Sequence, residues 1–385
     1  MMESDLNEQN GLTRRKFLQI SAGAATAMAV ATLPNLAWAQ PLKTAKVSLA
    51  QCLRMTPVEM AEQSNLVQSA YHYITGICGE IKNQDLKGKV LQVIQNPAPT
   101  FMERYIAGEE RNLLWRKLVA AQYLSENSTV VNFLPPNANV QAAAQPFYAA
   151  PGSGYMSHHA YPGGLATHTA VNLRSSLAVY QGYIETFDYK LDRDIIIAAQ
   201  ALHDLHKPWV FQWQANGACL PEITLAGQGA HHVLGIAESI YRGFSPEIVV
   251  AQACAHNHPG SDKDEAEVVG WIKAASMIAD KDPIKEGFLS ADGKTLPLPR
   301  RQENFVTHLG DHDWVLSVPA AIWTIPVLKN IAKTEYGIVD QELNGKKFNI
   351  LRNYVFSKFS IMRSYQVLVT QGEVGLAAKV KEIVG

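Results

Sequence analysis

The amino-acid sequence predicts an all-α protein: a helical bundle with additional flanking helices and one small β-hairpin. Apolar residues recur at the spacing of amphipathic helices along most of the chain, and Pro and Gly separate these stretches. No internal repeat or low-complexity block interrupts the pattern. With 385 residues, 47% hydrophobic and 18% charged, the chain is long and apolar enough for one large domain or two ordinary ones.

The helical pattern occupies most of the chain beyond its first forty residues. Each helical segment is bounded by Pro, Gly or small polar residues, which favour helix ends. The segments with this pattern are 57–83, 100–125, 164–182, 192–206, 231–242, 246–257, 264–280, 317–334 and 346–370.

The segment 209–225 shows the alternation of side chains that is typical of β-strands instead of the helical spacing. Trp209, Phe211 and Trp213 point to one side of an extended chain, and Asn216-Gly217 is typical of a hairpin turn. The sequence therefore predicts a β-hairpin over 209–225. We interpret its aromatic stripe as a packed face, and the alternative is a wall for a ring-containing substrate.

Charge and cysteine content exclude some classes of protein. The formal net charge is −1, whereas a protein that follows nucleic-acid phosphates needs a clustered basic excess. We therefore expect no extended nucleic acid as a partner. Four cysteines without a C-x-x-C pair require neither a disulfide nor a sulfur-ligated metal.

The N-terminus has the features of an export signal. Arg14 and Arg15 precede an Ala-rich apolar run that ends with Ala37 and Ala39 in an A-x-A pattern. This stretch resembles a twin-arginine signal, which implies the export machinery as a partner and a mature periplasmic protein that starts at Gln40 without a membrane span. A short N-terminal membrane anchor is the alternative.

Histidines cluster in one region, since nine of the twelve lie between residues 158 and 258. His168 starts one predicted helix and His203-Asp204 end the next, so an antiparallel pair brings them together. The same argument applies to His232 and His256 in the following two helices. Asp204 follows the apolar run IIIAAQAL, and a buried carboxylate there needs a strong cationic partner. This chemistry favours Fe, Mn, Zn, Ni or Co.

The segments "SHHAYPGGLATHT", "LHDLHK" and "GAHHVLGIAE" resemble the HD-domain superfamily of metal-dependent phosphohydrolases, and most closely the HD domain of bacterial 3′–5′ exoribonucleases. The resemblance covers about 145–285 and implies an HD-domain helical bundle. It implies the following domains: a signal peptide at 1–39, an N-terminal helical region at 40–145, the HD core at 146–290, and a C-terminal helical region at 291–385 packing on the core.

The resemblance also implies roles for individual residues and one or two divalent transition-metal ions. His168, His203, Asp204 and Asp280 would hold the first ion, with Asp204 bridging to a second. The second-ion ligands would be His232, His256 and His258, with His231 as a neighbour.

Substrate contacts are also implied by the same resemblance. Lys207 would contact a substrate phosphate, although a solvated helix end is an alternative. The resemblance implies a small phosphorylated substrate, and His159 is expected near it or in a loop. Apart from the resemblance, Arg174 lies less than two turns after His168, where it would face phosphate or solvent. His206 replaces the usual glycine of the HDxGK stretch, which adds bulk beside the pocket. Asp311, His312 and Asp313 are interpreted as capping and turn residues.

The expected function is hydrolysis of a phosphoester by a metal-activated water, with Asp204 and Lys207 as catalytic residues. Two alternatives remain from the sequence. One is a di-iron oxygenase, because the myo-inositol oxygenase group has a similar ligand pattern. The other is a non-catalytic metal-binding module that keeps the fold to bind a partner.

Overall fold

The structure is a computed structural model that describes residues 46–385, and the predicted export signal lies outside the described residues. The described chain is all-α, as predicted, with one two-stranded sheet. Its α-helices are α1 Leu49–Cys52, α2 Pro57–Glu62, α3 Asn65–Gly79, α4 Gln84–Gln95, α5 Gly108–Ala120, α6 Gly164–Phe187, α7 Arg193–Leu202, α8 Lys207–Val210, α9 Ala230–Tyr241, α10 Pro246–Ala253, α11 Asp262–Ala279, α12 Glu303–Gly310, α13 Trp314–Tyr336, α14 Lys346–Phe359 and α15 Ile361–Ile383. Its strands are β1 Thr224–Leu225 and β2 Gln228–Gly229, and short 3₁₀ turns cover Thr100–Tyr105, Phe147–Ala149 and Asp340–Glu342.

Local capping explains where several predicted helices divide. The segment 57–83 is two helices because the Ser64 hydroxyl accepts from the amide of Val67 and starts α3. The segment 346–370 divides at Ser360, whose φ of 56° breaks the helix before α15 begins. Helices α4 and α12 lie outside the predicted segments.

Residues 209–225 contain less sheet than the sequence predicts. The turn at Asn216-Gly217 is present, and Gly217 has a φ of 75°, but only Trp213 and Cys219 form a bridge around it. Strand β1 lies at the end of this segment and pairs with β2, which lies beyond it. Pro208 explains the difference, because proline favours the first turn of a helix and here lies in the first turn of α8. Trp209 is therefore part of this helix, and its side chain is buried in the core.

The helices around the site form an interlocked group. Helices α6 and α7 pack on each other, and α10 packs on α7. Helix α9 packs on α10 and α11. Helix α12 packs on α6, α7 and α10, so it completes the group from a distant part of the sequence.

The N-terminal and C-terminal helices pack together beside that group. Helix α14 contacts α2 and α3, and helices α13 and α15 pack on each other. The Ser64 hydroxyl donates to the carbonyl of Ser357 at 2.6 Å, and the Ser357 hydroxyl donates to the carbonyl of Met60 at 3.1 Å. These paired hydroxyls satisfy buried carbonyls and fix the contact between the two regions.

One helical stretch in the described chain, Glu303–Tyr336, is long and apolar enough to cross a membrane by length and composition, with a mean hydropathy of 1.5. Within the fold, 44% of its apolar window is buried. The stretch contains α12, a polar turn at 311–313, and α13. A core helix passes the same test, so this finding does not identify a membrane span.

Close glycine packing holds the loop 152–159 against the start of α6. A Cβ on Gly164 would lie 1.8 Å from the carbonyl oxygen of His159, and a Cβ on Gly152 would lie 2.8 Å from the His159 Cβ. The amide of Gly152 donates to the carbonyl of His159 at 2.9 Å. The loop can approach the helix this closely only because both positions lack a side chain.

Replacing Gly164 by alanine is therefore expected to lower the free energy of unfolding by about 2 kcal/mol, because backbone must move to accept the methyl group. Gly182 on the same helix is the matched control, since nothing lies within 4 Å of its added Cβ. Gly182→Ala is expected to raise the free energy of unfolding by about 0.5 to 1 kcal/mol. Urea denaturation measures both, and equal effects of the two changes would contradict this packing.

Candidate metal centre

The carboxylate of Asp204 lies at the centre of the candidate site and is 1% exposed. It follows helix α7, whose last turn is buried on all sides. Its Oδ2 lies 3.2 Å from Nε2 of His168 and 3.1 Å from Nε2 of His203. Its Oδ1 lies 3.3 Å from Nε2 of His231 and 3.7 Å from Nε2 of His256. The two oxygens therefore face two different pairs of imidazoles.

Asp311 closes the cluster from the end of α12. Its Oδ1 lies 3.2 Å from Nε2 of His168 and 3.3 Å from Nε2 of His203. Its Oδ2 lies 3.5 Å from Nε2 of His256. Asn172, one turn after His168 on α6, donates to Asp311 Oδ1 at 2.6 Å and holds the carboxylate in place.

Three groups of side chains in the described chain could hold a metal ion, because their ligand atoms lie within 4.8 Å of one another. They are His168, His203 and Asp311; His203, Asp204 and His256; and His159, His168 and Asp313. Imidazole and carboxylate donors suit Mn, Fe, Co, Ni or Zn. The four cysteines are buried and free, and they belong to none of these groups.

The hydrogen bonds of two imidazoles show that the residues fit a cation. Nδ1 of His203 donates to the carbonyl of Gln200 at 2.7 Å, and Nδ1 of His231 donates to Glu222 at 2.6 Å. A neutral ring then directs the lone pair of its Nε2 at an anionic oxygen. Asp204 Oδ1 and His231 Nε2 are buried and have no hydrogen-bond partner among residues 46–385. Only a proton or a metal ion between such atoms removes the repulsion.

In the chain without metal, protons on the imidazoles remove the repulsion between ring nitrogens and carboxylate oxygens. Burial favours neutral His203, but the carboxylates of Asp204 and Asp311 outweigh burial and raise its pKa to about 9. Burial likewise opposes ionisation of Asp204, yet His203 and Lys207 hold its pKa well below the ordinary value. Burial lowers the pKa of His256, which favours its neutral, metal-ligating form. The buried carboxylates of the cluster thus stabilise cationic groups beside them.

Lys207 shares the Asp204 carboxylate with the histidines. Its Nζ lies 2.5 Å from Asp204 Oδ2 and donates to the carbonyl of Gly152 at 2.6 Å. The side chain is 5% exposed. Lys207 therefore lies beside Asp204 and joins this carboxylate to the loop 152–159.

The loop 152–159 also brings His159 to the edge of the cluster. Nε2 of His159 contacts the carboxylate of Asp313, and Nδ1 lies 3.1 Å from the Tyr161 hydroxyl. Asp313 Oδ2 is also 3.7 Å from Nδ1 of His168. His159 is buried within this network rather than exposed in a mobile loop, and it belongs to one of the three candidate ligand groups.

A cavity of about 420 Å³ opens onto the cluster. Candidate metal ligands and other ring-bearing side chains line it together, so a bound molecule can reach the metal centre. The lining includes His158, His168, Lys207, Phe211, Glu222, His231, His256, His308, Asp311, His312 and Trp314.

The expected position of Asp280 is wrong. Helix α11 approaches the site through its middle, where the Trp271 ring lies 4.9 Å from the His232 ring, and Asp280 follows the last residue of this helix. Asp280 caps that end and pairs with Arg104, and its side chain is 57% exposed. Asp311 occupies the position in the cluster that the sequence assigned to Asp280.

The preference for His232 over His231 is also corrected. Adjacent residues on a helix point about 100° apart, so only one of the two can face Asp204, and on α9 that residue is His231. His232 stacks on His256 with ring centroids 4.1 Å apart and donates from Nε2 to the carbonyl of Ala253. His232 therefore packs against one face of the His256 ring.

Two further sequence-predicted residues, His258 and Arg174, lie outside the three ligand groups. His258 packs against Phe305 and His308. The Arg174 guanidinium lies 3.8 Å from the centre of the Tyr73 ring and does not line the cavity of the site. These positions do not bring His258 or Arg174 to the centre of the cluster.

His206 does not add bulk to the pocket. Its ring is buried between Phe101 and Trp209, with centroid distances of 5.9 and 5.3 Å. Nε2 lies 3.7 Å from Glu238, which is fully buried. The residue that replaces glycine therefore points into the core behind the site.

Sequence reasoning missed the contribution of the turn 311–313. The Asp-His-Asp trio was interpreted as capping, but Asp311 and Asp313 join the ligand groups and His312 lines the cavity. The available signal was the spacing of His308 and His312, which places both imidazoles on the same side of a helix end as Asp311.

Comparison with known proteins gives one informative relative. The chain is 30% identical to the dihydroneopterin 2′,3′-cyclic phosphate phosphodiesterase of Methanocaldococcus jannaschii over 127 residues. These 127 residues make up 32% of this chain. The match spans 50% of the relative, so the chain covers about half the length of this protein. No protein-family model and no solved structure matches the chain.

The position of Asp311 predicts a contrast between two aspartates. Asp311→Ala is expected to remove most of the bound transition metal, because it deletes a carboxylate that faces three imidazoles. Asp280→Ala is the matched control and is expected to keep the full complement. Metal analysis of protein folded with Mn or Zn measures both. Metal loss from Asp280→Ala with retention in Asp311→Ala would restore the assignment from sequence.

The raised pKa of His203 predicts that metal affinity depends on pH. Because this pKa is about 9 in the metal-free chain, the ring is protonated at neutral pH and must release a proton when it binds metal. Affinity for Zn is therefore expected to rise by about tenfold per pH unit between pH 7 and 9 for each proton released. Competition with a chelator of known affinity measures it, and a pH-independent affinity would exclude His203 as a ligand.

Proposed function

We propose that the protein is a metal-dependent phosphohydrolase that cleaves a phosphoester bond with water. The observation that carries this proposal is the position of the Asp204 carboxylate, whose two oxygens each face a separate pair of imidazoles. A carboxylate so placed would hold divalent cations together with these imidazoles in one buried cluster. His168, His203 and Asp311 would hold one ion, and His231 and His256 would hold the other.

A divalent cation bound there supplies a Lewis acid and lowers the pKa of a bound water toward neutrality. The side chains of the chain perform the remaining tasks. Glu222 accepts the Nδ1 proton of His231 and so directs Nε2 of this ring at the cluster. The Lys207 ammonium, held by Gly152, is placed to donate to a phosphate oxygen once its contact with Asp204 is released.

The comparison supports hydrolysis of a phosphodiester. The archaeal relative is named for cleavage of a 2′,3′-cyclic phosphate, and the chain covers half of its length. Such a substrate carries its reacting phosphate on a small molecule. A cavity of about 420 Å³ is large enough for a group of that size.

The test is an assay of metal-loaded protein with bis(p-nitrophenyl) phosphate and a nucleoside 2′,3′-cyclic phosphate. Protein loaded with Mn, Ni or Co is expected to release product without oxygen, and Asp204→Ala is expected to abolish activity. Glu222→Gln is expected to lower metal affinity by about 10- to 100-fold. Asp280→Ala serves as the matched control and is expected to retain activity, since its carboxylate pairs with Arg104 away from the cluster.

Two results would contradict the proposal. One is iron-loaded protein that consumes oxygen with an added substrate and shows no esterase activity with any metal, which would favour the oxygenase alternative. The other is metal-replete protein that cleaves no phosphoester and consumes no oxygen, which would favour a non-catalytic metal-binding module.

A further inference from the structure

A second cavity of about 420 Å³ adjoins the candidate metal centre. His308 is among the lining residues of both this cavity and the cavity at the metal centre. The second cavity lies between the end of α6 and helix α12. Four further side chains of its lining are Tyr183, Tyr189, Phe305 and Leu309.

Two pairs of neighbouring rings are among the lining residues of this cavity. Tyr183 and Tyr189 have ring centroids 5.3 Å apart. The rings of His258 and Phe305 lie 5.8 Å apart, with their planes 33° from parallel. Aromatic rings that line a cavity can stack on flat molecules with little regard to the hydrogen-bonding pattern of those molecules.

The rings on the site side of this cavity are held in position. Nδ1 of His308 donates to the carbonyl of Ala255 at 2.9 Å, which fixes the orientation of the imidazole between the two cavities. A Cβ on Gly260 would lie 2.4 Å from two atoms of the His258 ring. The absence of a side chain at Gly260 therefore lets the His258 ring occupy its position in the cavity lining.

We propose that the second cavity binds a planar ring system of the substrate, such as a nucleobase or another flat heterocycle, while its phosphoester lies at the metal centre. This inference rests on the proposed function and names the substrate class of the same site. The shared lining residue His308 brings the two binding regions next to each other. A volume of about 420 Å³ exceeds the needs of a bicyclic heterocycle and leaves room for the sugar or chain that joins it to the phosphate.

The experiment compares two ligands with the same head group on metal-loaded protein. The phosphonate analogue of AMP carries a ring, and methylphosphonate does not; neither can be hydrolysed at its carbon–phosphorus bond. Isothermal titration calorimetry measures both affinities for the wild-type protein, Tyr189→Ala and Phe187→Ala. Phe187 is the matched control because it contacts Tyr183 and Tyr189, is 62% exposed, and does not line the cavity.

The wild-type protein is expected to bind the AMP analogue at least about tenfold more tightly than methylphosphonate, because stacking adds to the head-group contact. Tyr189→Ala is expected to weaken the AMP analogue by about 5- to 100-fold and methylphosphonate by less than about twofold. Phe187→Ala is expected to change neither affinity by more than about twofold.

Equal affinities of the wild-type protein for the two ligands would overturn the inference, as would a Tyr189→Ala variant that leaves the AMP analogue unaffected or weakens both ligands equally. The hydrolysis assay is a separate measurement. Phosphoester cleavage without preference for ring-bearing ligands would overturn this inference and retain the proposed function. Ring-selective binding without cleavage of any phosphoester would retain the cavity's role and overturn the hydrolase proposal.

Discussion

Burial of the Asp204 carboxylate is the constraint on which the rest of the site depends. An ionised carboxylate at 1% exposure has a high desolvation cost, and it is stable only where positive charge surrounds it. Imidazoles from three different helical segments supply that charge together with Lys207. The rings of His203 and His231 are in turn oriented by the carbonyl of Gln200 and the carboxylate of Glu222. The packing of α6, α7, α9 and α12 follows from the need to bring these groups to one point.

Residues that lie close together in sequence were predictable, and the residue that arrives from far away was not. His203-Asp204 follow a helix that is buried on all sides, so the sequence alone indicates a buried polar end that needs compensation. Helical hairpins explain why His168 and His256 reach the same place. Asp311 arrives on α12, whose packing against α6 and α10 depends on long-range contacts that no local pattern encodes. A carboxylate at the end of α11 was therefore a reasonable but wrong substitute.

Side-chain direction was the second limit on prediction. His231 and His232 are neighbours, and a choice between them depends on the rotation of α9 about its axis. That rotation is fixed by Glu222, which accepts from both the backbone amide and the ring of His231. His206 is a similar case, because its ring turns away from the site toward Glu238. Glu238 also accepts from the hydroxyl of Thr100 and the amide of Phe101, so this buried carboxylate fastens the N-terminal region to the back of the metal centre.

The contact between Lys207 and Asp204 has a consequence for which ions the site can accept. The ammonium acts as an internal competitor, because it occupies the same carboxylate oxygen that an incoming cation would use. An ion must gain more from the imidazoles than the chain loses when this contact is released. Hard cations that prefer oxygen ligands, such as Mg²⁺ and Ca²⁺, gain little from nitrogen donors and are disfavoured relative to transition metals. The contact between Lys207 and Asp204 thereby favours cations with a high affinity for imidazole nitrogen, and its release on metal binding would leave the ammonium joined to the loop 152–159 through the carbonyl of Gly152 alone.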